Sequence, residues 1–448
     1  MPILREGNPR PTAHGRRQRD RSGSGLRPLL VLIHRYVGLA LAGFLLLAGL
    51  TGSLLAWNSE LEALISPSLF KASPPAPDAT PLDPLLLREK VQADNPGVFV
   101  GRVPLTVEPG KAMVFRLQPA VDSGTGAAPV LANDQVFVNP YTGDVLGRRK
   151  WGDITQGRKN LMPFIYRLHH SLALGTVGST LLGIVALVWT IDCFVGACLT
   201  FPPRRRGKQP ESAWPVPASL RAGQSWPARW WPAWRVRWRG DAYKVNFHLH
   251  RAGGLWPWAM LLVLAWSGVS FNLAEVYDPV MRTLFATQHD GRAAPLPKPL
   301  PVPPIGWAEA RGIGQRLMAE QARAGGFSIR REHQISYDPR SGQYHYFAQS
   351  DRDLSARWRL TRVSFSAESG ALTGIWRPVG TAAGDTIRTW ITSLHMAALG
   401  GTPMKLFIGA IGMVVAMLSV TGVAIWARKR RARGQIRQRP CGGGLPIV

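Results

Sequence analysis

Cysteine is nearly missing from this chain, with three among 448 residues. Cys193 and Cys198 fall inside an apolar run and Cys441 lies near the C-terminus, so no disulfide framework and no thiolate zinc site is on offer. Acidic residues are scarce as well, 27 against 54 Lys and Arg, for a net charge of +27. Nucleotide, flavin and dinucleotide motifs are absent, which excludes an enzyme that carries its own nucleotide cofactor.

Long apolar runs, by contrast, are plentiful. Four of them, at 29–57, 172–201, 253–274 and 404–427, each reach the roughly 20 residues that a helix needs to cross a bilayer. The first has an apolar core too long for a cleavable signal peptide, and no small-residue cleavage site follows it. These runs predict a polytopic membrane protein.

The charge is not spread evenly. Residues 1–35 carry eight Lys and Arg, 201–251 carry eleven and 428–439 carry seven, with only Glu6, Asp20, Glu211 and Asp241 among them. About +22 of the net charge therefore lies in the two tails and one loop. With four spans these segments share one face of the membrane, and the positive-inside rule makes that face cytoplasmic. Topology and attraction to anionic lipid explain the charge, and nucleic-acid binding is excluded as its purpose.

The expected organisation follows. Residues 1–27 form a disordered basic tail. Spans cover 28–57, 161–201, 242–274 and 386–427. Outer segments occupy 58–160 and 275–385, a Trp/Arg-rich loop 202–241 and a second basic tail 428–448. Each outer segment reads as one helix followed by strands: PLLLREKVQADN and then hairpins in the first, GWAEARGIGQRLMAEQARAG and then hairpins in the second. The chain reads as a duplication. Seventeen residues separate His34 from Thr51, and seventeen separate His250 from Ser267. Twenty-seven separate His169 from Gly196, and twenty-seven His395 from Gly422. Both halves run in the same orientation. The predicted fold class is thus an α-helical membrane protein, a four-helix transmembrane bundle built as a tandem parallel repeat, with two small α+β outer domains.

Four of the ten histidines, His34, His169, His250 and His395, hold repeat-equivalent places near span ends. Ionisable side chains at membrane depth are costly and usually functional. Zinc or copper would recruit further Cys, His or carboxylate ligands. Heme needs one or two axial ligands, so one His from each of two facing helices suffices, and a bis-histidine site favours electron transfer over oxygen chemistry. His34 and His250 form the expected cytoplasmic-side pair, and His169 and His395 the outer pair. Arg35 and Arg251 either meet heme propionates or serve topology and snorkel. His170 competes with His169, and His248 with His250; spacing favours His169 and His250. Asp192 either lies close to the cytoplasmic interface or contacts one of these histidines from behind. His289, His333 and His345 read as surface or strand residues.

HRYVGLALAGFLLLAGLTGSLLAWNSELE, LHHSLALG, VNFHLHRAGG, LHMAALGG with SVTGVAIW, VFVNPYTGDVLG and VSFSAESGALTG together resemble the PepSY-associated transmembrane family of bacterial inner-membrane proteins, over roughly residues 29–430. That family includes heme-containing siderophore reductases. The resemblance implies two b-type, bis-histidine hemes beneath periplasmic PepSY-like domains, with His34, His169, His250 and His395 as axial ligands. It implies iron acquisition by electron transfer from a separate cytoplasmic or quinol donor to a periplasmic ferric chelate or siderophore. A non-enzymatic regulator of a peptidase or sensor, and an iron-uptake-associated transporter, are the alternatives.

Overall fold

The first apolar run forms one continuous helix, α1 (Leu26–Leu55), with a mean hydropathy of 2.0 and almost all of its surface turned outward. The computed structural model describes residues 26–119, 130–202, 225–289, 291 and 293–437. Cys441, most of the N-terminal tail, part of the Trp/Arg loop and the end of the C-terminal tail lie outside the described residues.

Twelve further helices follow α1 among the described residues, and a few of them position the site. Helices α2 (Asn58–Ile65), α3 (Pro67–Phe70) and α4 (Pro84–Ala93) lead into the first outer segment. Helices α5 (Leu161–Ser171) and α6 (Gly175–Thr200) return toward the membrane. Helix α7 (Trp226–Trp230) belongs to the Trp/Arg loop. Helices α8 (Ala242–Leu255) and α9 (Trp258–Asn272) are followed by α10 (Ala274–Leu284) and α11 (Trp307–Gly325). Helices α12 (Ala383–His395) and α13 (Thr402–Arg437) end the described chain. Three helices, α1, α6 and α13, are individually long and apolar enough to span a membrane.

The third expected span is not one straight helix. Helices α8 and α9 are bent by 67° at Trp256–Pro257, so the count reaches four only if the pair is one span. Pro257 has no N–H and favours the start of a helix, which explains where the break falls.

Close helix packing rests on small residues, as is usual in membranes. A Cβ added at Gly49 of α1 would lie 2.5 Å from the Gly412 carbonyl oxygen of α13. Ser53 Oγ donates to the Gly409 carbonyl at 2.9 Å across the same contact. At the contact of α6 with α9, a Cβ at Gly268 would meet the Ala186 Cβ at 3.0 Å.

The outer helices form where their sequences predict. Asp83 caps α4 by accepting from the Leu85 N–H at 2.7 Å, with Pro84 at the first turn. Both hairpins also turn as expected: Gly143 (φ +74°) donates to Asn139, and Gly370 (φ +70°) donates to Ser366.

The separation of the outer segments differs from expectation. Strands run β1 (Val98–Phe99), β2 (Arg102–Pro104), β3 (Met113–Arg116), β4 (Gln118–Pro119), β5 (Gln135–Val138) and β6 (Val145–Arg149) in the first segment. The second holds β7 (Ile329–Asp338), β8 (Gln343–Ser350), β9 (Thr361–Ser366) and β10 (Leu372–Trp376). The five-stranded sheet has order β10-β9-β8-β7-β2, so a strand of the first segment completes the sheet of the second. The two segments also share one apolar core, in which Leu87, Val103 and Phe115 meet Met318, Ile335, Tyr344 and Phe365. Arg88 stacks 4.2 Å over Trp307 across the boundary. Two small independent domains are therefore replaced by one fused unit. The physical reason is that the apolar side chains of both segments are buried in one common core, which neither segment completes alone.

Helix α2 fastens this unit to the spans. Glu62 pairs with Arg149 of β6 at 2.9 Å, Glu60 with Lys405 at the start of α13, and Ser59 accepts from Arg357 at 3.1 Å.

Candidate heme sites

The chain brings its four singled-out histidines together as two pairs. His34 of α1 faces His250 of α8 on the side of the basic tails, with ring centroids 6.2 Å apart. His169 of α5 faces His395 of α12 on the sheet side, again at 6.2 Å. Thr51, which touches the sheet-side pair, lies seventeen residues beyond His34 on α1, so the two sites are about 25 Å apart along that helix.

Every ring is held through its Nδ1. His169 pairs with Thr51 Oγ1 at 2.9 Å, His395 with Ser267 Oγ at 2.6 Å and His250 with Thr421 Oγ1 at 2.9 Å. Each of these hydroxyls donates its own proton to the carbonyl one turn earlier: Thr51 to Leu47 at 2.7 Å, Ser267 to Val263 at 2.7 Å and Thr421 to Met417 at 2.8 Å. A hydroxyl has one proton, so toward the ring it can only accept. The imidazole must then carry its proton on Nδ1 and present an unprotonated Nε2. His34 reaches the same tautomer by another route, donating to both carboxylate oxygens of Asp192 at 2.9 and 3.0 Å. Among the described residues no Nε2 of the four has a hydrogen-bond partner.

Glycines let the rings lie against helix backbone. A Cβ at Gly52 would come 3.1 Å from His169 Cε1; one at Gly196 would come 3.3 Å from His34 Cε1, and one at Gly422 3.3 Å from His250 Cε1. Gly38, Gly43 and Gly175, by contrast, meet nothing within 4 Å.

The sheet-side rings sit at joints. Helix α5 ends with Leu172 (φ 51°) and Ala173 (φ 57°) in the left-handed region, and α12 is followed by Ala397 (φ 48°). Such conformations are strained for residues with a Cβ and persist where the surroundings enforce them, often at functional sites.

The competing histidines go elsewhere. His170 contacts the Tyr166 carbonyl at 3.2 Å and the Tyr166 ring at 5.2 Å. His248 accepts from Arg251 at 3.0 Å. Arg251 also donates to the Pro232 carbonyl at 2.6 Å, which ties α8 to the Trp/Arg loop. Arg35 lies with Arg27, Val31 and Leu32 around a shallow cleft at the start of α1. Neither arginine makes a hydrogen bond to any of the four rings. In the fused outer unit His289 is exposed, His345 meets Ser364 Oγ at 2.8 Å, and burial holds His333 below its ordinary value.

Two imidazoles that share one metal, each ~2 Å from it, place their ring centroids roughly 6 Å apart. Both pairs have that spacing, with a polar partner at each Nδ1 and, among the described residues, none at any Nε2. Among the described residues no three His, Cys, Asp or Glu gather into a metal cluster, so two-ligand axial coordination suits the donors better than a tetrahedral ion. The residues present fit heme. The hydroxyl partners Thr51, Ser267 and Thr421 were not foreseen as such. Their signal is a Ser or Thr directly followed by Gly in an apolar helix.

The architecture is that of a membrane protein with several candidate spans, two histidine pairs near the span ends and a β-rich unit on one side. The chain belongs to the PepSY-associated TM family: residues 31–429 match the PepSY-associated TM region. No curated protein matches the chain.

Proposed function

We propose that this chain is a two-heme electron conduit of the bacterial inner membrane that serves iron acquisition. The observation that carries the reading is the matched spacing of the two histidine pairs, with a polar partner at every Nδ1 and, among the described residues, none at any Nε2. In this reading α8 and α9 form one bent span, the four spans are a duplicated unit in parallel orientation, and the basic tails face the cytoplasm. The like roles of Thr51 and Ser267 support the duplication.

His34 and His250 would hold one heme, and His169 and His395 the other. No Cys-x-x-Cys-His occurs, so attachment would be non-covalent, as in b-type hemes. Bound there, heme supplies a reversible one-electron Fe(III)/Fe(II) couple with no open position on the iron. The protein's own part is to fix the rings. Thr51, Ser267, Thr421 and Asp192 set the tautomer, and Gly52, Gly196 and Gly422 admit the ring edges. The apolar residues between the sites exclude water.

The net reaction takes one electron to each ferric siderophore outside. A quinol donor would release two electrons and two protons, enough for two chelates. Reduction frees the iron because Fe(II) binds hard oxygen ligands less tightly than Fe(III). The fused unit stands beside the sheet-side pair and offers the surface on which the chelate would dock. The bend at Pro257 is the one feature that favours a transporter. Against that, the corresponding stretch of α1 is continuous, and the break carries Trp256 and Trp258 rather than ion-coordinating groups.

The test is an absorption spectrum of the full chain purified from heme-replete cells. Two hemes per chain are expected, with a Soret band that sharpens on dithionite reduction and does not respond to carbon monoxide. His170→Ala should keep both hemes. A folded, colourless protein overturns the reading.

A further inference from the structure

The two sites differ in one group. Three of the four rings give their Nδ1–H to a neutral hydroxyl, but His34 gives it to the Asp192 carboxylate. Position counting shows that this is a substitution of partner on one helix face. Thr421 directly precedes Gly422, whose backbone lies against His250. The residue that directly precedes Gly196, which lies against His34, is Val195. The polar group has moved one turn, to Asp192, where the second half has Leu418. The acidic side chain is 10% exposed, and among the described residues no Lys or Arg pairs with it.

A buried carboxylate with no Lys or Arg beside it is costly in apolar surroundings. Positive charge on the far side of the His34 ring offsets that cost, and oxidised iron carries more of it than reduced iron. A carboxylate that accepts from a ligating imidazole also raises the basicity of the ligating nitrogen, which a hydroxyl does far less. Both effects favour the ferric state at the tail-side site, and both are strong where the dielectric is low. Hydrogen bonding and nearby charge are the levers by which a protein sets a heme potential.

We propose that Asp192 is a positioning residue that makes the tail-side site the low-potential one of the two, so that electrons run downhill toward the sheet side. The inference rests on the two-heme reading given above. It specifies direction, which the near-symmetry of the two pairs would otherwise leave open.

Potentiometric titration of the full chain, followed by heme absorbance, tests it. The wild type should show two midpoint potentials. His169→Ala, which removes the sheet-side site, should leave the lower one. Asp192→Asn should raise the lower midpoint by at least a tenfold change in the reduction equilibrium, 59 mV for a one-electron couple, and leave the upper in place. Asp192→Glu should restore most of the difference. A structural role alone would cost heme content without this selective shift. Should Asp192→Asn not fold, Ser267→Asp carries the test in the other direction, because a carboxylate beside His395 should lower the upper midpoint. If the protein holds two hemes but Asp192→Asn moves neither midpoint or both equally, or the lower midpoint belongs to the sheet side, the inference is wrong and the two-heme reading stands. If the wild type holds no heme, that reading fails first.

Discussion

The tail-side and sheet-side pairs share a ring spacing of 6.2 Å and yet are built differently. His34 and His250 lie within helices, on α1 and α8. His169 and His395 lie at the ends of α5 and α12, just before the chain turns through left-handed residues into α6 and α13. Those short helices are bound to the outer unit. Arg167 of α5 donates to the Gly152 carbonyl at 2.9 Å, and Thr389 of α12 donates to the Pro378 carbonyl at 2.8 Å. One site thus lies within long helices, and the other lies at the joint between helices and sheets. The same ring spacing is thus reached from helix interiors at one site and from helix ends at the other.

The largest test of this comparison removes a ligand. His34→Ala and His395→Ala should each cost about one of two hemes, read by heme-to-protein ratio, and the double variant should lose both. Loss of neither rejects the assignment. Crowding a ring comes next. Gly196→Leu should empty the tail-side site alone and Gly52→Leu the sheet-side site alone, because a side chain there overlaps His34 or His169. Spectra of the two variants should be complementary.

Removing an acceptor is milder. Thr51→Val removes the hydroxyl beside the His169 Nδ1, and outer-shell losses weaken metal binding by roughly 10–100-fold. Transfer of heme to apomyoglobin should accelerate by about that factor for the sheet-side site and remain unchanged for the other.

The smallest effect is acid loosening of the outer unit. Burial pushes the Glu332 carboxyl up, but hydrogen bonds from Arg311, Tyr346 and Gln315 hold it below its ordinary value. A depressed carboxyl stabilises the fold above the unfolded value of about 4.3, and the effect fades as pH falls through the lower folded value. Thermal melts of the wild type and Glu332→Gln should therefore differ at pH 6 and converge in stronger acid. Over the same range the sheet-side site should release heme before the tail-side site does.

Much of this arrangement was legible in the sequence. The apolar runs, the helices at Pro84 and Trp307 and both Gly-closed hairpins follow from periodicity and turn chemistry, which are local. The two histidine pairs were legible because spacing repeats. What escaped depends on contacts between distant segments. Nothing in RVP at 102–104 signals that it will pair with β7, 230 residues on, since a three-residue strand has no period to read. The bend at Trp256–Pro257 was hidden inside an apolar run, where hydropathy registers length but not direction. Asp192 stood out as an acid in a span, but its partner could be named only once α1 and α6 were seen side by side.

The strand shared between the outer segments has a mechanical consequence. Because β2 locks into the sheet of the other segment and a single core runs through both, the two halves would move together, as one lever. A molecule that presses on either half loads α5 and α12 at the same time. The two rings of the sheet-side site, each hung from one of those helices, would then be displaced together rather than one against the other, and their grip would be kept while the lever tilts.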